Sequence, residues 1–215
     1  MSSAALQLIG TPLSHFTRKV RILLAELGVA HDFVRAPGVM GTATAPYGDH
    51  PLLRVPTLID GAQTVIESDH IARYVVAHHD PDDRFGVRSE AVADLNWLAV
   101  VNGVMDNEVV WVLAGRGGLA NLEEIVYFRK LMTAIEGGLA WLDRTVDVER
   151  ARFDYGDIAL ICMWQHLAHY KLVPTLDRHA RLAARVARFA DRPSVAATTP
   201  ERSLADARAA GWQPA

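Results

Sequence analysis

Apolar and polar residues change their spacing along this chain, and the changes mark its elements. Leu6-Gln7-Leu8-Ile9 is a short apolar run stopped by Gly10-Thr11-Pro12, which predicts a strand. Phe16, Val20, Leu23, Leu24 and Leu27 follow at i, i+4, i+7, i+8 and i+11, one face of a helix that Ser14 opens and Gly28 closes. His31-Asp32-Phe33-Val34 predicts a second strand, and a strand–helix–strand unit of this length implies a parallel pair with a right-handed crossover. Residues 36–51 carry Gly, Pro, Ala and Thr with weak periodicity and predict a loop with one short helix. The stretch from Arg54 to Ser68 then reads as strand, tight turn, strand and helix start. Val55-Pro56-Thr57-Leu58-Ile59 is the outgoing strand, with Pro56 first, where a strand tolerates proline. Asp60-Gly61 supplies the turn and Thr64-Val65-Ile66 returns. Ser68 or Asp69 is available to cap a helix that runs to about His78.

His79-Asp80-Pro81-Asp82-Asp83-Arg84 is the best linker signal, and no strand pattern follows it. The expected division is therefore an α/β domain over residues 1–79 and an all-helical domain over 86–215, with a loose start over 1–5. Helical patterns run over 88–114 and 120–146, broken between them by Gly115-Arg116-Gly117-Gly118. Gly137-Gly138 lie inside the second and mark either a kink or a close helix crossing. Asp154-Tyr155-Gly156-Asp157 heads the run Ile158–Trp164, apolar all round, which predicts a helix buried on every side. Asp154 fits the N-cap, Asp157 the reciprocal position of a capping box, and Phe153 with Ile158 a hydrophobic staple. A last helix is expected over about 174–190, with the Ala-rich tail after Pro193 covering the surface.

Composition narrows the picture. Net charge is −3, with no basic excess to recruit nucleic acid or anionic lipid. The one cysteine, Cys162, excludes an intramolecular disulfide and a zinc–thiolate cluster and fits a reducing compartment. No secretion signal is evident and no apolar run approaches the roughly 20 residues of a membrane helix. A soluble cytoplasmic protein with no nucleic-acid or membrane partner is expected. His166 and His169 share a helical face, but no third ligand lies in sequence reach, so no metal is expected.

Three features in this order and spacing resemble the glutathione transferase family: valine–proline before the hairpin, Glu67-Ser68 at the next helix start, and the Asp154 capping box late in a helical region. The resemblance covers about residues 6–190. It implies a thioredoxin-like N-terminal domain, an all-α C-terminal domain, a homodimer, glutathione as co-substrate and a hydrophobic electrophile as second substrate. It also implies a cis Val55–Pro56 bond, with the backbone of Val55 pairing with the cysteinyl residue of glutathione like an added strand. By the same resemblance, Glu67 and Ser68 would hold the γ-glutamyl end and Arg54 the glycyl end. Ser14 stands at the position that activates the thiol. A free thiol ionises near pH 8.5, so an enzyme gains by steadying the thiolate with a donor at a helix N-terminus.

Thr11 is the rival hydroxyl on that loop. No tyrosine or cysteine lies near the end of the first strand, which points to a serine-type site and away from disulfide chemistry. The second substrate is expected between the domains, with Asn102 and Asp106, four apart on one helical face, either lining that cleft or facing the other subunit or solvent. The bland readings are Ser14 as a simple cap, Glu67 as a solvated carboxylate and Arg54 as a surface cation. Two departures from the family, His70 in place of a small residue and the unclear helix over 36–50, keep open an alternative: a non-catalytic scaffold that binds glutathione or a partner.

Overall fold

The computed structural model describes residues 6–213, so the expectation for residues 1–5 lies outside it. It divides into two compact units: residues up to Arg88 together with those from Asp191 onward, and Ser89–Ala190. The first therefore runs past the expected linker and takes back the C-terminal tail, which the sequence reading had placed with the helical domain.

The first unit is built on a four-stranded mixed sheet in the order β2-β1-β3-β4. β1 (Leu6–Gly10) and β2 (His31–Arg35) are parallel and joined by α1 (His15–Leu27). β3 (Thr57–Asp60) runs antiparallel to β1, and β4 (Gln63–Ile66) antiparallel to β3. The period-2 alternation sorts the side chains onto two faces. Leu8 and Leu58 pack with Val20 and Leu24 of α1 and with Ile71 and Val75 of α2 (Ser68–His79). Ile9 turns to the other face, against Ala36 and Tyr47. Between β2 and β3 the chain forms only a single 3-10 turn, Ala45–Tyr47, as the weak periodicity there suggested. α1 ends at Gly28 in the left-handed conformation, as expected of a C-cap glycine. The turn after α2 is held rather than loose: Asp80 accepts from the backbone N–H and Nε of Arg84, and Asp83 from the N–H groups of Val87 and Arg88.

The second unit consists of α3 (Val92–Arg116), α4 (Val126–Thr145), α5 (Tyr155–Tyr170) and α6 (Ala180–Phe189). α4 and α6 start later than their sequence patterns suggested, because single 3-10 turns at Leu122–Glu124 and Leu176–Arg178 precede them. The two glycines of α4 mark a close crossing: a Cβ on Gly138 would sit 2.6 Å from Cγ2 of Val104 on α3. By length and composition α3 reaches the range of a membrane span, contrary to the sequence reading. It packs on α4 and α5 and buries Val101, Val104, Met105 and Glu108, the mixed face of a bundle helix.

The capping box that opens α5 is complete. Asp154 accepts from the Asp157 N–H at 3.0 Å, and Asp157 accepts from the Asp154 N–H at 3.1 Å. Asp157 is also clamped by Arg185 of α6, whose Nε and Nη2 each donate to one carboxylate oxygen at 2.7 Å. The same guanidinium donates to the carbonyls of Arg150 and Arg152 and lies over the Phe189 ring. Burial in this polar knot, with the negative charge of Asp157 adding to it, pushes the Asp154 carboxyl up to about 6. His166 of α5 faces Glu108 of α3, Nδ1 to Oε1 at 2.7 Å.

After α6 the chain returns to the first unit as α7 (Pro193–Ala196) and α8 (Pro200–Ala209). This tail binds α1 through side chains that a surface cover would not need. Arg18 donates to Thr198 Oγ1 and the Val195 carbonyl, and Arg21 to Ser203 Oγ. Glu26 accepts from Arg192 and from Ser194. Burial raises the Glu26 carboxyl, but these bonds outweigh it and hold it below the usual range. Trp212 Nε1 donates to the carbonyl of Ala36 at 2.8 Å.

Candidate active site

Register alone brings the candidate residues to one end of the sheet. β1 finishes at Gly10, and α1 begins four residues beyond Thr11. Ile9 of β1 pairs with Thr57, the first residue of β3, so Arg54, Val55 and Pro56 lie at that same end. Thr57 in turn pairs with Ile66, the last residue of β4, so Glu67 and Ser68 arrive there as well. Sequence positions 14, 54–56 and 67–68 thus converge through one parallel crossover and one hairpin.

Ser14 is half-buried and has extended backbone, φ −66 and ψ 113. Its N–H donates to the Thr11 carbonyl at 3.2 Å, and its Oγ accepts from the Thr17 N–H at 3.1 Å. It is therefore the N-cap of α1. No acidic residue sits in the first turn of α1, so the positive end of the helix dipole is not offset there. Gly10 allows this arrangement: a Cβ at that position would lie 2.2 Å from Cγ2 of Thr17. Thr11, the rival hydroxyl, is buried, at 6% exposure.

The Val55–Pro56 bond is cis. Pro56 is buried and precedes the strand instead of starting it, since β3 opens at Thr57. Val55 lies beyond the last ladder pair, Ile9 with Thr57, and its side chain packs on the Ile9–Ala36–Tyr47 cluster. Arg54 is exposed.

The cap of α2 departs from expectation. Neither Ser68 nor Asp69 fills it. Glu67 does, with φ 68 and ψ 126 and no side-chain cap bond, while Ser68 is the first helical residue and is 5% exposed. The positive φ turns the chain sharply out of β4, so the Glu67 carboxylate stays at the surface and the first turn of α2 opens at this end of the sheet. Glu67 uses its carbonyl for the Ile71 N–H at 2.8 Å. His70 is exposed, so it does not alter packing beneath these residues as its bulk had suggested.

Two further residues belong to this region and were not singled out in the sequence. Lys19 of α1 is fully buried, with Nζ 2.6 Å from Asp69 Oδ1, and so ties the mouths of α1 and α2 together. His50 is 1% exposed and its Nδ1 accepts from the Leu52 N–H at 3.1 Å. Its signal was a side-chain acceptor two residues before a backbone donor, in a stretch with only weak periodicity.

Comparison with known proteins fits this geometry. The family pattern described as glutathione S-transferase, N-terminal domain, matches residues 8–83. A glutathione S-transferase from Methylobacterium radiotolerans, crystallised with glutathione sulfonate, is 28% identical, with a TM-score of 0.74 over 92% of this chain and 95% of that one. Residues 8–83 thus carry the pattern of a glutathione transferase N-terminal domain. A second family structure, from Methylobacillus flagellatus with glutathione bound, is 27% identical with a TM-score of 0.78, covering 91% of this chain and 100% of that one. A third, from Pseudomonas fluorescens, also with bound glutathione, is 26% identical with a TM-score of 0.79, covering 91% and 99%. Glutathione S-transferase 4 of Zea mays is 33% identical over 103 residues, a match that spans 46% of each chain, so the chain aligns with about half the length of that curated relative. The thioredoxin-like sheet followed by a helical region matches the fold of these structures.

Proposed function

We propose that this protein is a serine-type glutathione transferase, in which Ser14 steadies the glutathione thiolate for attack on a small hydrophobic electrophile. The observation that carries this reading is how Ser14 caps α1. The Thr17 N–H occupies an acceptor lone pair of Oγ, so the cap uses the hydroxyl as acceptor only. Its O–H still has a proton to donate, at a helix N-terminus where negative charge is favoured. Cap and thiolate donor are therefore compatible roles for one side chain. A hydrogen bond to a charged partner contributes roughly 1.5–3 kcal/mol.

In this reading Val55 pairs its backbone with the cysteinyl residue of glutathione. Ser68 and the first turn of α2 receive the γ-glutamyl carboxylate, and Glu67 its ammonium. Arg54 takes the glycyl carboxylate. Related structures that hold glutathione or its sulfonate support the co-substrate. A cytoplasmic homodimer completes the proposal. Sedimentation velocity measures self-association directly.

Steady-state kinetics with glutathione and an activated aryl chloride test the role of Ser14. Ser14→Ala should lower kcat by about tenfold or more, the worth of one charged hydrogen bond, with little change in KM for glutathione. Unchanged turnover would reduce Ser14 to a cap. Glutathione binding by the native protein without any turnover would favour the scaffold alternative.

A further inference from the structure

The turn that delivers Arg54 and Val55 is wound around one side chain. His50 Nδ1 accepts from the Leu52 N–H at 3.1 Å, and the His50 carbonyl accepts from the Leu53 N–H at 3.0 Å. The two bonds close successive loops on the same residue, as an Asn or Asp side chain does in an Asx turn. Leu53 then takes a positive φ of 56, costly for a residue with a Cβ and kept only where surroundings enforce it. Arg54 and the cis Val55–Pro56 bond follow at once. The ring is 1% exposed, so water cannot replace the bond if it is lost.

We propose that His50 is a positioning residue for glutathione: its unprotonated Nδ1 holds the turn that presents Arg54 and Val55, and ligand affinity falls when that nitrogen takes up a proton. The proposal rests on the glutathione reading above and deepens it. An imidazolium has donors on both nitrogens and no acceptor, so protonation sets Nδ1–H against the Leu52 N–H. The released turn would carry Arg54 and Val55 with it.

The charged groups acting on the ring come from two places, Glu67 at the start of α2 and Arg54 on the turn itself. Burial, first, and the Arg54 charge push the ring below the usual histidine range, against the opposing pull of Glu67. The ring is thus neutral and the turn intact at neutral pH. The bond is lost as pH falls through the lowered native value.

The test is calorimetric titration of the full chain with S-methylglutathione, from neutral pH down to about pH 5, where the ligand's amine and carboxyl groups keep their charges. This thioether has no thiol, so Ser14 chemistry does not enter. Native protein should weaken by up to about tenfold per pH unit once below the ring's native pKa. His50→Asn keeps an acceptor that does not titrate; it should bind near the native level at neutral pH and lose the acid dependence. His50→Ala should bind about tenfold more weakly at neutral pH, with an unchanged circular-dichroism spectrum showing that it is folded. A native profile with the same slope as His50→Asn, or native-like affinity in His50→Ala, overturns the positioning role and leaves the glutathione reading standing. No binding of S-methylglutathione by native protein at neutral pH overturns both.

Discussion

Gly137 and Gly138 are neighbours in α4 with the same intrinsic cost, and the structure gives them opposite sensitivities. Each glycine in a helix interior is about 0.8–1 kcal/mol less favourable than alanine, so propensity alone favours alanine equally at both. A Cβ on Gly137 meets nothing within 4 Å, and the residue is exposed. A Cβ on Gly138 lands 2.6 Å from Val104 Cγ2 and 3.5 Å from Val100 Cγ1, both on α3. Carbon atoms at contact prefer about 3.5–4.0 Å, so roughly 1 Å must be recovered. Val104 is buried and β-branched, with essentially one helix rotamer, so it has nowhere to turn. The helices must separate instead, at the usual overpacking cost of about 1–3 kcal/mol.

Gly137→Ala should therefore stabilise by about 0.5–1 kcal/mol, and Gly138→Ala should fall about 1–3 kcal/mol below it. The difference between the two variants is the cleaner quantity, because the shared propensity term cancels. Urea denaturation followed by far-ultraviolet circular dichroism reads it as a shift in midpoint at constant slope. If Gly138→Ala proves as stable as Gly137→Ala, α3 and α4 do not approach closely at this point, and Gly138 is only a weak place in the helix.

Two other predictions concern the knot at the start of α5. Arg185→Leu leaves Asp157 buried without its bidentate partner and should cost about 3–5 kcal/mol. Asp154 already sits at about 6, and removing the Arg185 charge that pulls it down leaves its native carboxyl holding a proton that the unfolded chain releases between its ordinary value and 6 or above. Stability should then fall as pH rises through that window, making the loss larger at pH about 8 than at about 5; urea midpoints showing equal losses at both would refute it. Asp154→Asn keeps the acceptor for the Asp157 N–H and removes a charge beside Asp157, giving up only a pair with the half-exposed Arg150. It should remain within about 1 kcal/mol of native near pH 8, whereas Asp154→Ala should lose about 0.5–2 kcal/mol with its cap; thermal melts of the two variants separate these outcomes.

What was legible in the sequence was local. The spacing of Phe16 to Leu27, the Asp60-Gly61 turn and the Asp154–Asp157 box each fit inside a dozen residues, and each formed as read. The placement of the tail was not local. Arg18, Arg21 and Glu26 look in sequence like the solvated side of α1, but their partners are Thr198, Ser203 and Arg192, more than 160 residues away. Apolar periodicity cannot reveal that, because the contact is made by hydrogen bonds and ion pairs. Nor could it show that Lys19 is buried, since its partner Asp69 lies 50 positions on.

The misread cap of α2 has the same root. Propensity favours Ser68 or Asp69 at that position, and a glutamate with φ 68 is a choice that local energetics disfavour. Leu53, at φ 56, is another such choice. Both flank the strands that present Val55 and Ser68, and neither is a glycine, which would have announced the conformation. Conformations of this kind persist only where surrounding contacts over-determine them. Here those contacts are the β3–β4 ladder, which ends at Thr57 with Ile66, and the His50 turn, which closes on Leu52 and Leu53. A sheet end that fixes backbone groups through such contacts suits a peptide ligand, which is recognised by main-chain hydrogen bonds and charge at its ends. An apolar electrophile, the second substrate proposed above, would offer neither; its recognition would depend on side-chain shape alone, which no spacing along the chain encodes.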